Sequence, residues 1–214
     1  MPCWQELNLA DRAYSPLQWA NSLAQMMALS LDRLAYYDQP AHLIGFSMGG
    51  YIASLVALKQ PEKVASLTLV GFNSEGLSLG EVNQRQQILQ AISSGSCQAM
   101  SQARLQYFVH ADNANNHLVI TSIKQMEADL GSPVLASQIQ ATADRKDLTA
   151  PLAQSHFPIH LVTGEQDNIA SPETIGRMAQ HMPNSDSLII ADAGHMLPLE
   201  QPKALAQYLR TFLR

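Results

Sequence analysis

Short, nearly continuous apolar runs alternate along the chain with longer stretches in which apolar residues recur every three or four positions. The first texture reads as buried parallel strands and the second as amphipathic helices. Their alternation predicts a parallel sheet with crossover helices. A weak strand is expected over 7–10 (LNLA). Ser15 and Pro16 then open a helix, with Ser15 as its cap, Pro16 in the first turn and Gln18 closing a capping box. Ala20, Leu23, Ala24, Met27, Leu31 and Leu34 recur at helical spacing and should face the sheet. Strands follow over 41–46 and 64–70, separated by a helix from Met48 to about Gln60 that Pro61 stops.

The texture changes after Gly71. Residues 73–150 are rich in Gln, Ser, Asn and Ala, with helical periodicity and no convincing strand. Ile88, Leu89 and Ile92 mark one apolar face, and Leu105, Phe108 and Val109 another. Ser132-Pro133 opens a third helix through Leu135, Ile139 and Ala143. This stretch reads as a helical cap inserted into a core made of 1–72 and 151–214. Alternation then resumes with a strand over 159–163 and a helix from Ser171-Pro172 through Ile175, Met178 and Met182. A last strand over 187–191 precedes a final helix after Pro202, with Leu205, Leu209 and Phe212 on one face. The expected class is therefore α/β, a mostly parallel sheet flanked by helices and carrying an inserted cap.

Composition narrows the choices. At 214 residues and 46% hydrophobic, the chain can bury one sizeable core, and one domain with an insertion fits better than two. Charged residues are only 14%, so disorder is excluded as the main state. The net charge of -5, without any Lys/Arg block, lacks the footprint of a nucleic-acid binder. No apolar run approaches the ~18–20 residues of a membrane span. The start, Met1-Pro2-Cys3-Trp4-Gln5-Glu6, has neither the basic nor the apolar region of a signal peptide. Cys3 and Cys97 are too few for a disulfide framework or a zinc site, which leaves a reducing, cytoplasmic compartment as the expectation.

The chemistry centres on Gly45-Phe46-Ser47-Met48-Gly49-Gly50, placed between a strand and a helix. G-x-S-x-G arises by chance in roughly 0.07 of chains this long. Its setting is more specific, because strand, sharp turn and helix are what a nucleophile elbow needs. The two glycines would relieve crowding and leave Ser47 strained and exposed, with the N–H of Met48 available to a developing oxyanion. The bland alternative is a Gly-rich turn with a capping serine. The segment matches neither phosphate-binding nor dinucleotide-binding glycine patterns.

A serine hydroxyl needs a base, and the base an orienting acid. His195, in Asp192-Ala193-Gly194-His195-Met196, follows the last strand and so stands at the sheet edge that also carries Ser47. His42 begins a strand at the opposite edge. His110 and His117 lie in the cap, His156 and His160 precede or enter a strand, and His181 ends a helix, so these six read as structural or solvated. Asp167, in the loop after 159–163, supplies the acid at the correct edge, with Glu165 as its neighbouring competitor. Asp144, Asp147 and Asp192 read as caps or turn formers. The order Ser47, Asp167, His195 is the one this architecture uses.

The chain resembles the α/β-hydrolase superfamily, and most closely its small esterase, lactonase and thioesterase-like members. The resemblance covers nearly all of it. It rests on GFSMGGYIA (45–53), PEKVASLTLVG (61–71), RKDLTAPL (145–152), LVTGEQDNIASPE (161–173) and DAGHMLPLEQP (192–202). MEADLG (126–131) and QIQATADRKDL (138–148) resemble the end of the cap in a bacterial subgroup. The resemblance implies Ser47 as nucleophile, Asp167 as acid and His195 as base, with no cofactor and no metal. Family members usually begin with two or three further strands, the third followed by a His-Gly loop that supplies the second oxyanion donor. No His-Gly dipeptide occurs here. Residues 7–10 resemble the family's fourth strand, so the missing third should leave a gap in the sheet or let 7–10 move into it. Losing one oxyanion donor costs about 10²–10³ in kcat, so activity is expected to be impaired. One reading of the missing start is that coding begins upstream of Met1. In-frame upstream DNA encoding a strand and a His-Gly loop would support that, and an immediate stop codon would exclude it.

The expected activity is hydrolysis of a small or medium acyl ester, lactone or thioester through an acyl-enzyme. Met100, Leu105, Tyr107, Phe108 and Met126 are candidates for an apolar acyl pocket, or equally for packing within the cap. Two other readings stay open. One is a C–C hydrolase or lyase using the same triad, with Arg85, Arg104 or Lys124 holding a substrate carboxylate. The other is a non-catalytic binding protein on the same fold. An exposed sheet edge would also favour a homodimer.

Overall fold

The computed structural model describes residues 2–7, 9, 11–97 and 100–213. Helix α1 (Pro2–Leu7) is followed by a 3-10 turn (Leu17–Trp19) and α2 (Leu23–Ala35). Strand β1 (Ala41–Phe46), helix α3 (Met48–Lys59) and strand β2 (Val64–Val70) form the first crossover unit. Helices α4 (Leu79–Ser93), α5 (Gln102–Phe108), α6 (His117–Ala141) and α7 (Thr149–Ala153) fill the chain before β3 (Ile159–Gly164). Helix α8 (Pro172–His181), strand β4 (Ser185–Ile190), and helices α9 (Leu197–Glu200) and α10 (Pro202–Leu209) follow.

The strands form one parallel sheet in the order β1-β2-β3-β4. In register, Phe46 stands beside Val70, and Gly164 beside Ile190. The C-terminal ends therefore share one edge, and the segments that leave β1, β3 and β4 there carry Ser47, Asp167 and His195. Both faces of the sheet are covered, which is why the strands read as continuous apolar runs. Leu67, Leu69, Ile159 and Leu161 pack with Met26, Ile52, Val56, Ile175 and Met178 on one face. Val70, Val162 and Ile190 pack with Cys3, Leu7, Leu205 and Leu209 on the other. Each such side chain contributes about 1.5–3 kcal/mol when fully buried. A third cluster joins Leu105, Val109, Val119 and Ile123 to Met196 and Leu199, so α5 and α6 dock on the chain around His195.

Three expectations need correction. Residues 7–10 do not form a strand: Leu7 ends α1, and Asn8 and Ala10 lie outside the described residues. Cys3 and Leu7, four apart, share a face of this helix and bury it in the cluster that includes α10. Among the described residues no strand pairs with the outer edge of β1, where His42 is exposed and Ile44 half-buried. Neither outcome expected for that edge is seen, because among the described residues the sheet ends at β1. Ser15 and Pro16 do not open α2 either. The cap is Ser22, whose hydroxyl accepts the Gln25 N–H at 3.2 Å while the Gln25 side chain accepts the Asn21 N–H at 2.7 Å. Within α2 Met26 is fully buried, whereas Ala24, expected to face the sheet, is exposed. The separate helix expected from Ser132-Pro133 is the second half of α6, set off by a break at Gly131 (φ 71°), with Pro133 in its first turn. No helix among the described residues is long and apolar enough to cross a membrane.

Candidate active site

The turn out of β1 is held by the backbone. Ser47 donates its N–H to the Val70 carbonyl at 2.9 Å, and its own carbonyl accepts the Gly50 N–H at 2.8 Å. Between them Ser47 adopts φ 51° and ψ -119°, a conformation that side-chain-bearing residues rarely occupy and that costs of order 1–3 kcal/mol. The Ser47 side chain makes no capping bond to α3, which removes the capping-serine alternative. Gly45 is required here, since a Cβ on it would lie 2.4 Å from the Gly49 carbonyl. Gly49 itself faces open space; the second crowded glycine is Gly50, packed on the Phe72 ring. Of the two glycines expected to relieve the turn, only the first does so. Met48 is the first residue of α3, so its N–H has no partner within the helix.

Ser47, His195 and Asp167 form a hydrogen-bonded row. The Ser47 hydroxyl lies 3.0 Å from His195 Nε2. His195 Nδ1 lies 3.1 and 3.0 Å from the two carboxylate oxygens of Asp167. A carboxylate only accepts, so Nδ1 carries the proton and Nε2 is left to accept from the serine. His195 and Asp167 are 3% and 2% exposed, so this exchange is shielded from bulk water. Phe46 and Phe108 flank the imidazole, with ring centroids 5.3 and 5.9 Å away. Gly71, at φ 56°, makes room beside the pair, because a Cβ there would sit 3.2 Å from His195 Nδ1.

Asp167 is fixed from its own loop. Its Oδ1 accepts the N–H groups of Ile169 and Ala170, both at 2.8 Å, and Thr163 donates to Oδ2 at 3.3 Å. Burial by itself would raise this carboxyl. The His195 hydrogen bond and charge, with the Ala170 and Ile169 N–H groups, outweigh burial and hold it below the ordinary carboxylate range. A carboxyl depressed in the fold contributes stability that is complete above its unfolded value, near pH 4, and is lost as pH falls through the folded value. Urea unfolding of wild type and Asp167→Asn should therefore converge as pH is lowered from about 5 to 3. A difference that stays constant over that range contradicts the assignment.

The remaining candidates separate cleanly. Glu165 is exposed and turned to the Asp192 N–H at 3.3 Å, away from the imidazole. Asp147 accepts the Thr149 N–H in a turn. His42 meets Ser66 at 2.7 Å, and His160 meets Asp186 at 2.9 Å while stacked on Phe212. Arg85 donates to Thr142, Arg104 lies over Phe108, and Lys124 is exposed. Among the acyl-pocket candidates, Leu105 is buried in the cluster that Met100, Phe108 and Met126 flank, and the half-exposed Tyr107 donates to the Asn168 carbonyl. A cavity of about 590 Å³ opens behind the acid loop, lined by Gln106, Val109, Gln166, Asp167 and Asn168. Neither Ser47 nor any of the five pocket candidates lines it. Donor atoms of His110, Glu165 and Asp192 come within 4.8 Å of one another, but His110 Nδ1 already accepts the Asp112 N–H. Sequence reasoning missed Phe46 and Gly71, although each lies within a quoted motif, GFSMGGYIA (45–53) and PEKVASLTLVG (61–71). It also missed the buried Glu200, which lay in the quoted DAGHMLPLEQP run.

The chain is similar to known proteins in sequence and fold. The chain is 29% identical over 198 residues to the dihydrolipoyllysine-residue acetyltransferase component of an acetoin cleaving system from Pseudomonas putida, covering 91% of this chain but 50% of that protein. It is 26% identical over 188 residues to a pimeloyl-[acyl-carrier protein] methyl ester esterase of Neisseria meningitidis serogroup C, covering 84% of this chain and 72% of the relative. Among solved structures, a thermophilic esterase from Thermogutta terrifontis superposes with a TM-score of 0.81 at 27% identity, over 90% of this chain and 72% of that one. The chain thus spans from half to nearly three quarters of the length of these relatives. The family model of the alpha/beta hydrolase fold matches residues 18–202, from before α2 to the start of α10, and the chain belongs to that family.

Proposed function

We propose that the chain is a serine hydrolase acting on a small or medium acyl ester, lactone or thioester. The observation that carries this reading is the unbroken row from the Ser47 hydroxyl through His195 to Asp167. His195 Nε2 takes the hydroxyl proton as Ser47 attacks the acyl carbonyl. Asp167 holds the tautomer and stabilises the imidazolium. The Met48 N–H, at the start of α3, stabilises the tetrahedral oxyanion. His195 then protonates the leaving group, and a water activated by the same imidazole releases the acyl group from Ser47. In this reading residues 73–150 are the cap and the rest is the hydrolase core. The names of the Neisseria and Thermogutta relatives, both esterases, support the reaction class.

The test is a fluorophosphonate probe followed by a p-nitrophenyl ester series from acetate to decanoate. Ser47 should be labelled in wild type and not in Ser47→Ala, and turnover should peak at one acyl length that reports the depth of the pocket. Folded wild type that takes up no probe and hydrolyses no ester refutes the proposal.

A further inference from the structure

The carboxylate of Glu200 occupies a junction for which the triad itself has no use. Glu200 ends α9, five residues after His195, and is 8% exposed. Its Oε1 accepts the N–H of Gly194 at 2.9 Å. Its Oε2 accepts the N–H of His110 at 2.7 Å and the Asn113 side-chain N–H at 3.0 Å. One oxygen thus holds the residue immediately before His195, and the other holds the chain between α5 and α6. The same two segments meet where Met196 donates to the Phe108 carbonyl at 3.0 Å. They lie so close that a Cβ on Gly194 would stand 2.6 Å from the backbone of Val109 and His110.

A carboxylate suits this place for a specific reason. Both of its oxygens accept, so it can bind N–H groups arriving from two sides. A glutamine has one acceptor and one donor end, so it would turn an N–H against either Gly194 or His110. The bonds Glu200 accepts all come from uncharged N–H groups, which is an expensive way to bury an anion. Burial pushes its carboxyl above the ordinary range despite the opposing pull of those N–H groups and of His110. Packing alone would be served better by an apolar side chain.

We infer that Glu200 is a positioning residue that clamps the His195 loop to the segment 109–113 and so keeps the imidazole Nε2 in register with the Ser47 hydroxyl. The inference rests on the reading of His195 as the base. It is tested on the full chain by comparing wild type, Glu200→Gln and Glu200→Asp. The proton on His195 Nδ1, held by Asp167, should give a downfield NMR resonance, assigned by its loss in His195→Gln. In Glu200→Gln that resonance should broaden or vanish while far-UV circular dichroism stays that of wild type. On p-nitrophenyl acetate, kcat should fall by about 100-fold, and KM should stay within about 3-fold, because the acyl site is not touched. Glu200→Asp keeps the charge but is one methylene too short to span both segments, and should lie between the two. It carries the same readouts if Glu200→Gln does not fold. A sharp, unshifted resonance in either folded variant, or a kcat within about twofold of wild type, overturns the proposal. If wild type hydrolyses no ester, the hydrolase reading fails, and the resonance alone decides the role of Glu200.

Discussion

Ser47→Ala is expected to lower kcat on p-nitrophenyl esters by about 10⁶-fold, the scale on which a nucleophile is lost when serine and histidine act as one unit. The variant leaves His195 and Asp167 paired, but the imidazole then has no hydroxyl to deprotonate. Turnover by the Met48 N–H and binding alone should persist at about 10³–10⁴-fold over water. Stability should change little, because the Ser47 side chain makes no cap bond to α3 and its backbone contacts to Val70 and Gly50 do not involve the hydroxyl. Steady-state kinetics together with a urea unfolding curve check both halves. A loss of less than about 100-fold in a stably folded variant means that another group supplies the nucleophile.

Asp167→Asn should lower kcat by about 10⁴-fold with the geometry of the site intact. The neutral amide matches the carboxylate in shape, but it can turn its N–H toward His195 Nδ1. That favours the tautomer with the proton on Nε2, where it faces the Ser47 hydroxyl and blocks proton abstraction. The Ile169 and Ala170 N–H groups, both on Oδ1, reinforce this choice by holding the amide oxygen on their side. The measurement is kcat across the neutral pH range for Asp167→Asn and Glu165→Gln. Equal losses in both, or a larger one in Glu165→Gln, would reassign the acid to Glu165.

The core strands and their helices were legible because both faces of a parallel sheet must be covered. Residues 64–70 and 159–164 are mostly apolar and are buried along nearly their whole length in that setting. The start of the chain was less legible. A four-residue apolar stretch such as LNLA fits a strand or the end of a helix, and α10, some two hundred residues away, provides the surface that settles it. The start of α2 went astray for a local reason. Two serines, Ser15 and Ser22, each stand three residues before a glutamine, and only the packed structure chooses between such equivalent caps.

The candidate site divides along the same line. Ser47 is marked by glycines that a tight turn demands, and turn chemistry is written in neighbouring residues. His195 and Asp167 follow strands, and parallel strands must end at a common edge, so topology alone places them near Ser47. Sequence by itself therefore determined the fold class and singled out these three residues, in this order, as candidates, with Glu165 still competing for the acid. The tertiary structure alone decided that Asp167 rather than Glu165 meets the imidazole, that Phe46 and Phe108 flank it, and that Glu200 bonds both its loop and the segment between α5 and α6. Those outcomes depend on side-chain directions and distances between segments far apart in the chain, and no local pattern encodes them.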